Sequence, residues 1–282
     1  MVLKAETQFY IANLLATVTR SPHSLLLLDY DGTLAPFREK RDQARPYPGI
    51  ALLLSEIVAS GHTRLVIVSG RDANEMVPLL GMVPTPEVWG LHGLQRRMPD
   101  GSVRVVKIEK RKNDALHAAD EWLTQENLRQ TAEFKTGSIA LHWRGLDESR
   151  TEDIRHRVLT GWRPIAEEHR LELMEFDGGV ELRVPDVDKG DAVRLVLGEM
   201  EPDTPAAYLG DDITDESAFQ AIAGRGLSVL VRSRWRPTAA RVWLRPPEEV
   251  VEFLVQWRKA VRAASERKND QKGEPASAEM TQ

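Results

Sequence analysis

Two carboxylates, Asp29 and Asp31, stand one residue apart in LLLLDYDGT, directly after the leucines Leu25 to Leu28. Neighbouring acids repel each other and raise each other's pKa, so the pair costs stability unless a cation or a reaction uses it. A second pair, Asp211-Asp212, follows the apolar run AAYLG, and a third apolar run, RLVIV, ends in Ser69-Gly70-Arg71. Oxygen donors of this kind suit Mg2+, which takes a few carboxylates together with water and substrate phosphate. Asp29 and Asp211 are the best side-chain ligands, and Asp31 can add its carbonyl. A carboxylate held beside such a cation can attack phosphorus and form an aspartyl-phosphate, which splits one hard hydrolysis into two steps. The second carboxylate can protonate the leaving oxygen and later take a proton from water. Gly32 permits a tight turn out of the strand, and Thr33 offers a hydroxyl and a backbone N–H. A transferring phosphoryl group also needs donors and positive charge around its oxygens. Ser69 and the N–H groups of Gly70 and Arg71, at a helix start, supply donors, and Lys189 in DVDKGDAV is the fixed cation.

These residues converge only if the apolar runs are neighbouring strands. Helical and extended signals alternate along the chain, the pattern of an α/β domain with a parallel sheet. SLLLLDY, RLVIVSG and AAYLG read as buried strands, EVWGLHG and LSVLV as further strands, and helices are expected over IALLLSEIVASG, from Asp72 in DANEMVPLL, and over KGDAVRLVLGEM and PEEVVEFLVQWRKAVRAA. In an open parallel sheet the carboxyl ends of the strands line one crevice, where ligands bind. Between residues 98 and 184 the texture changes. SVRVVKIE, AEFKTG and SIALHWR alternate as strands with one solvated face do, and LELMEF and GVELRV flank the turn Asp177-Gly178-Gly179. The expected organisation is therefore a doubly wound, Rossmann-like parallel-sheet core (1–97 and 185–262), an inserted α+β domain (98–184) and a disordered tail (263–282). The first residues read as an amphipathic helix with Phe9, Leu14 and Val18 on or near one face.

Composition narrows the function classes. The 282 residues carry a net charge of −5, which argues against a general nucleic-acid binder. One stretch, VRSRWRPTAARVWLR at 231–245, mixes arginines with two tryptophans; it reads as a strand and loop with a solvated arginine edge and inward tryptophans. No apolar run approaches the roughly 20 residues of a membrane span, and the N-terminus lacks the features of a secretory signal. The absence of cysteine excludes thiolate chemistry and fits the cytoplasm.

DYDGT, SGR, DKG and GDDITDE, in that order, resemble the motifs of the haloacid-dehalogenase-like phosphatases, a superfamily with cap domains between its second and third motifs. More narrowly, GLHGLQRR at 90–97, SIALHWR at 138–144, GGVELRVPDVDKGDAV at 178–193 and YLGDDITDESAF at 208–219 resemble the trehalose-6-phosphate phosphatases. The resemblance implies a Mg2+-dependent hydrolase, with Asp29 as nucleophile, Asp31 as acid and base, and Lys189 and Ser69 holding the phosphoryl group. It implies a metal shell completed by Asp211, with Asp212 and Asp215 close behind. The inserted domain then reads the sugar. Glu181 and Arg183 share one side of a strand, His142 and Arg144 share one side of another, and His92 sits at the junction of core and cap. The stretch VPDVDKG departs from a uniform pattern by placing Asp186 and Asp188 near the phosphate site. The implied setting is a cytoplasmic monomer, without membrane or nucleic-acid partners, functionally linked to a trehalose-6-phosphate synthase. The links near 96–98 and 185–187 are expected to hinge. Phosphatases of glucosylglycerol phosphate or sucrose phosphate, and a phosphomutase, remain alternatives. A signalling receiver also uses aspartates, a hydroxyl and a lysine, but it has no inserted domain and no Asp-x-Asp-Gly-Thr turn.

Overall fold

A computed structural model describes residues 2–273 except Glu39, Asp177 and Asp186. The chain begins with α1 (Val2–Arg20), then alternates β1 (Ser24–Leu28), α2 (Ile50–Ala59), β2 (Thr63–Val68), α3 (Ala73–Leu80) and β3 (Glu87–Gly90). Two short strands follow, β4 (Gln95–Arg97) and β5 (Val103–Val105). Next come α4 (Lys110–Gln125), β6 (Ala132–Lys135), β7 (Ser138–His142), α5 (Glu148–His169), β8 (Glu172–Phe176) and β9 (Gly179–Arg183). The alternation resumes with α6 (Lys189–Gly198), β10 (Ala206–Gly210), α7 (Glu216–Ile222), β11 (Leu227–Val231), β12 (Val242–Leu244) and α8 (Glu248–Gly273).

The unbroken leucine run is explained by burial on both faces. Leu26 and Leu28 join a cluster with residues of α1, α2, α3 and α8, while Leu25 and Leu27 join another with α6 and α7. Helices on both sides of the sheet make the core doubly wound and Rossmann-like, as expected. The sheet order is β12-β11-β10-β1-β2-β3-β4-β5. The pairs from β12 through β3 are parallel, and β4 runs antiparallel to β3. The connections therefore leave β1 in opposite directions, towards β2 on one side and β10 on the other. That is the topological switch at which such sheets bind ligands.

Residues up to Val103 and from Lys189 onward form one compact unit, and Arg104–Asp188 form another. In the second unit the antiparallel sheet β6-β7-β9-β8 lays Ile139, Leu141, Val180 and Leu182 against buried residues of α4 and α5.

Several expectations need correction. SVRVVKIE yields only the exposed strand β5 at the edge of the eight-stranded sheet, not a strand of the inserted sheet. Its alternation specifies extended backbone but no pairing partner. In α1 the buried positions are Ile11 and Val18, with Leu14 and Leu15 packed beside them, while Phe9 is exposed. The helix α8 runs on to Gly273, beyond the expected helix end at Ala264 and into the 263–282 stretch expected to be disordered. Trp257, Ala260, Val261 and Ala264 continue its buried stripe, and no proline or glycine stops it before Gly273. Asp177 of the expected turn, Asp186, and tail residues 274–282 lie outside the described residues. Among the described residues, no helix is long and apolar enough to cross a membrane.

Strands β2, β3 and β4 are tied across the sheet by ions. The buried Glu87 accepts from Arg64 and Arg96, and both arginines also donate to Glu199 just after α6. The Arg96 hydrogen bonds, aided by Arg64, hold the Glu199 carboxyl down at about 2. A depressed carboxyl stabilises the fold above its unfolded value and loses that contribution as pH falls through the folded one. Glu199→Gln should therefore lower stability at pH 7 by only about 0.5 kcal/mol, because the side chain is partly exposed. Urea denaturation should find the gap between the two proteins closing as pH falls from about 4.5 to 2.

Candidate active site

The register of β1 sets Leu28 opposite Ile67 of β2 and Leu209 of β10. Asp29, Ser69 and Asp211 thus emerge near the carboxyl ends of three adjacent strands, and the Asp29 N–H still donates to the Leu209 carbonyl at 2.8 Å. Gly32 has φ +85°, and a Cβ there would run into the Asp211 carboxylate. A side chain at position 32 would meet both steric and conformational penalties.

Carboxylate oxygens of Asp29, Asp211 and Asp215 lie within 4.8 Å of one another, and all three residues are buried. Lys189, the first residue of α6, places Nζ 2.7 Å from both Asp29 Oδ1 and Asp215 Oδ1. Burial opposes the ammonium, but Asp215 and Asp29 outweigh it and raise the lysine pKa above its ordinary value. The carboxylates remain under-compensated. Burial, with repulsion from Asp215 and Asp31, pushes Asp29 up to about 7 against the pull of Lys189. Burial and the charges of Asp29 and Asp215 push Asp211 up well above the carboxylate range. Counted with all three acids ionised, this group has two more negative charges than positive ones. An oxygen-only donor set with that imbalance fits a divalent hard cation.

Hydrogen bonding separates the acids. Asp215 Oδ1 accepts from Lys189 Nζ and, at 2.5 Å, from the Tyr208 hydroxyl; its Oδ2 accepts from the N–H groups of Asp211 and Asp212. These four bonds use the roughly four acceptor sites of a carboxylate. Asp29 accepts one bond on each oxygen, from Lys189 and from Thr33 Oγ1 at 3.0 Å. Among the described residues, no hydrogen bond reaches the Asp211 carboxylate. Asp29 and Asp211 are thus the acids with capacity for a cation, and Asp215 organises their surroundings. The Asp212 side chain caps the short turn at Ile213–Asp215 and is half exposed.

The carboxylate of Asp31 is held outside this group. Arg71 donates Nε and Nη2 to its two oxygens, each at 2.6 Å, and Nη1 to the Arg41 carbonyl at 2.7 Å. Arg71, expected at the phosphate, therefore spends its fork on Asp31. Ser69 is buried, and its Oγ accepts from the Arg71 N–H at 3.2 Å. Thr33 turns its hydroxyl to Asp29 and its N–H to the Tyr30 carbonyl, so both groups are used within the turn. Gly70 lies against the His92 imidazole, where a Cβ would clash. Leu91 and His92 have φ of +50° and +56°, a left-handed conformation that costs energy in residues other than glycine.

In the second unit, Arg183 stands opposite Ser138, Glu181 opposite Ala140, and Gly179 opposite His142. These positions share the sheet face turned from α4 and α5. Glu181 is buried and accepts from Ser138 Oγ at 2.7 Å; Arg183 pairs with Glu172 at 2.6 Å. His142 packs edge-on to Phe176 and lies 3.5 Å from Glu133. Arg144 packs against Gly178 beyond the end of β7.

Two site residues escape a sequence reading. Tyr208 looks like one more apolar strand residue, although a buried tyrosine needs a partner for its hydroxyl. Gly210, where a Cβ would meet the Asp215 carboxylate, is the accompanying signal. Arg232 donates to the Asp211 carbonyl at 3.2 Å and stands within the segment read as a solvated edge. That reading also fails for Trp235, which is 57% exposed instead of packed inward.

A trehalose-phosphate phosphatase of Mycobacterium marinum is 32% identical over 254 residues, covering 82% of this chain and 60% of the relative. The chain thus spans about three fifths of that relative's length. The C-terminal domain of trehalose-6-phosphate phosphatase from C. albicans superposes with a TM-score of 0.74 at 23% identity, covering 88% of this chain and 96% of that one. A haloacid dehalogenase-like hydrolase of B. subtilis gives 0.58 at 14% identity, covering 83% and 97%. At these identities the two structures speak for the fold alone. A model of the trehalose-phosphatase family matches residues 27–244, most of the sequence, and the chain belongs to that family.

Proposed function

We propose that this protein hydrolyses trehalose 6-phosphate to trehalose and phosphate, through an aspartyl-phosphate on Asp29. The observation that carries the reading is the buried group of Asp29, Asp211 and Asp215 around Lys189, at the switch point of a parallel sheet, in a chain of this family.

Each residue then has a task. Thr33 and Lys189 fix the Asp29 carboxylate, one on each oxygen, leaving it room to attack. Lys189 also brings positive charge to the point where phosphoryl oxygens gather. Ser69, through its hydroxyl, and the Gly70 N–H offer donors on the other flank. Asp31 protonates the leaving sugar oxygen and then deprotonates the attacking water. Doing so requires it to exchange Arg71 for the substrate, and Arg71 is then released to meet the phosphate. Asp29 and Asp211 would hold Mg2+, which when bound compensates their charge and polarises the phosphoryl oxygens. The polar sheet face bearing Glu181, Arg183 and His142, with Arg144 beside it, is the proposed sugar reader, since sugars are selected by convergent hydrogen-bonding and charged groups.

Phosphate release should be compared across trehalose 6-phosphate, sucrose 6-phosphate, glucosylglycerol phosphate and glucose 6-phosphate. Trehalose 6-phosphate is expected to be turned over best, and a tenfold preference for another would overturn the specificity while leaving the phosphatase reading. Asp29→Asn should cut kcat on the order of 10^4-fold or more, and Asp31→Asn by about 10^2- to 10^4-fold. Appreciable turnover by Asp29→Asn, with deamidation excluded by mass spectrometry, would refute the covalent route. Chelation with EDTA should abolish phosphate release, and added Mg2+ should restore it.

A further inference from the structure

The segment after β11 is rich in arginine and, unlike its compositional reading, is heavily engaged with the acidic turn of the site. Arg232 directly follows β11, beside β10. Its N–H donates to the Leu244 carbonyl at 3.0 Å, and its own carbonyl accepts from Trp243 Nε1 at 2.7 Å. From this anchored backbone its guanidinium Nη1 reaches the Asp211 carbonyl at 3.2 Å and comes within 3.9 Å of Asp212 Oδ1.

The bond to a carbonyl, not a carboxylate, is the informative feature. The Asp211 carbonyl and the Asp212 N–H belong to one planar peptide group. Arg232 holds its oxygen, and Asp215 Oδ2 holds its N–H at 2.9 Å. The preceding peptide is pinned too, since the Asp211 N–H donates to the same Asp215 oxygen at 3.0 Å. Both peptides that flank Asp211 are therefore fixed, and with them the direction in which its side chain leaves the backbone.

A second tie joins the same two segments. Glu216, the first residue of α7 and the residue after Asp215, accepts from Arg236, from Thr238 Oγ1 at 2.8 Å and from the Ala239 N–H at 2.7 Å. Although burial opposes it, these donors together hold the Glu216 carboxyl below its ordinary range. Residues 232–239 thus grip the acidic turn at both ends, at Asp211 and at Glu216.

We infer that Arg232 is a positioning residue that aims the Asp211 carboxylate for Mg2+, with Glu216 anchoring the other end of the same turn. This rests on the proposed role of Asp211 as a metal ligand. Coulomb repulsion between the guanidinium and the metal predicts the opposite sign for the role of Arg232. A cation near a metal site repels the metal, so removing it should tighten Mg2+ binding. Positioning predicts that removing it weakens binding, because Asp211 loses its fixed direction.

The test is calorimetric titration of Mg2+ into the full chain, beside phosphate release and thermal melting. Arg232→Met is expected to weaken Mg2+ binding about tenfold, as is usual when a group supporting a metal ligand is lost. Arg232→Lys should recover part of that loss, because an ammonium can still donate to a carbonyl. Glu216→Gln should weaken Mg2+ binding in the same direction. Arg234→Met removes the same charge from an exposed position of the same loop and should leave affinity unchanged or slightly tighter. With saturating Mg2+, kcat of Arg232→Met should return to within about threefold of wild type, placing the loss in metal affinity. Unchanged or tighter Mg2+ binding by Arg232→Met would overturn the inference, as would an equal weakening by Arg234→Met. Absence of Mg2+ binding by the wild type would overturn it too. A wild type that binds Mg2+ yet releases no phosphate from any sugar phosphate would sink the proposed activity alone, and the titrations would still decide the role of Arg232.

Discussion

The ammonium of Lys189, set 2.7 Å from both Asp29 and Asp215, is the contact on which the rest of this site depends. Three buried carboxylates within reach of one another repel, and this ammonium hydrogen-bonds two of them. Breaking a buried pair by removing one partner leaves an uncompensated charge, at a cost of about 3–5 kcal/mol. The fold brings the lysine from a distance of 160 residues along the chain to Asp29, by starting α6 against the carboxyl end of the sheet. One ammonium still falls short of three acids, and burial together with the mutual repulsion of the carboxylates raises the pKa of Asp29 and Asp211.

The doubly wound core was legible because its strands are buried on both faces and therefore read as continuous apolar runs. Leu25 to Leu28 split evenly between two helical layers, a division the pattern LLLL expresses directly. The polar residues at the ends of those runs were legible too, since parallel strands must deliver their carboxyl ends to one edge. Pairing at the margins was not. Val103 and Val105 alternate with Arg104 as a strand of either sheet would, and only tertiary contacts assign β5 to the larger one. The extent of α8 was hidden for a different reason. The polar stretch ERKNDQKG signals no buried face, yet the helix continues through it to Gly273.

Within the site, sequence named the acids but not their partners. Arg71 was legible as a basic residue at a strand end, and its side chain has the geometry to chelate either a phosphate or a carboxylate. In the structure it is the Asp31 carboxylate on which the fork closes, at 2.6 Å. The same logic explains the arginines after β11. As a string they look like a solvated edge, but Arg232 and Arg236 meet a carbonyl and a carboxylate that come from the turn after β10. A sequence shows the charges; the crossing between strands decides which of them meet.

Equivalent residue types were given unequal work by hydrogen-bond count. Asp29, Asp211 and Asp215 are chemically identical and lie within one cluster, so burial and distance do not rank them. Their donors do. Asp215 accepts four hydrogen bonds, Asp29 accepts two, and no hydrogen bond to the Asp211 carboxylate is found among the described residues. A saturated carboxylate is rigid and electrostatically spent, which suits a residue that holds a turn. A carboxylate bonded once per oxygen is oriented but still nucleophilic, which suits Asp29. One without a donor must find its compensation elsewhere, and its direction is set through the backbone instead, by the bonds that Arg232 and Asp215 make to its peptides. The pattern of neighbouring donors, assembled from β10, α6 and the segment after β11, thus distinguishes three copies of one side chain: Asp215 is saturated, Asp29 is bonded once per oxygen, and Asp211 is fixed through its backbone.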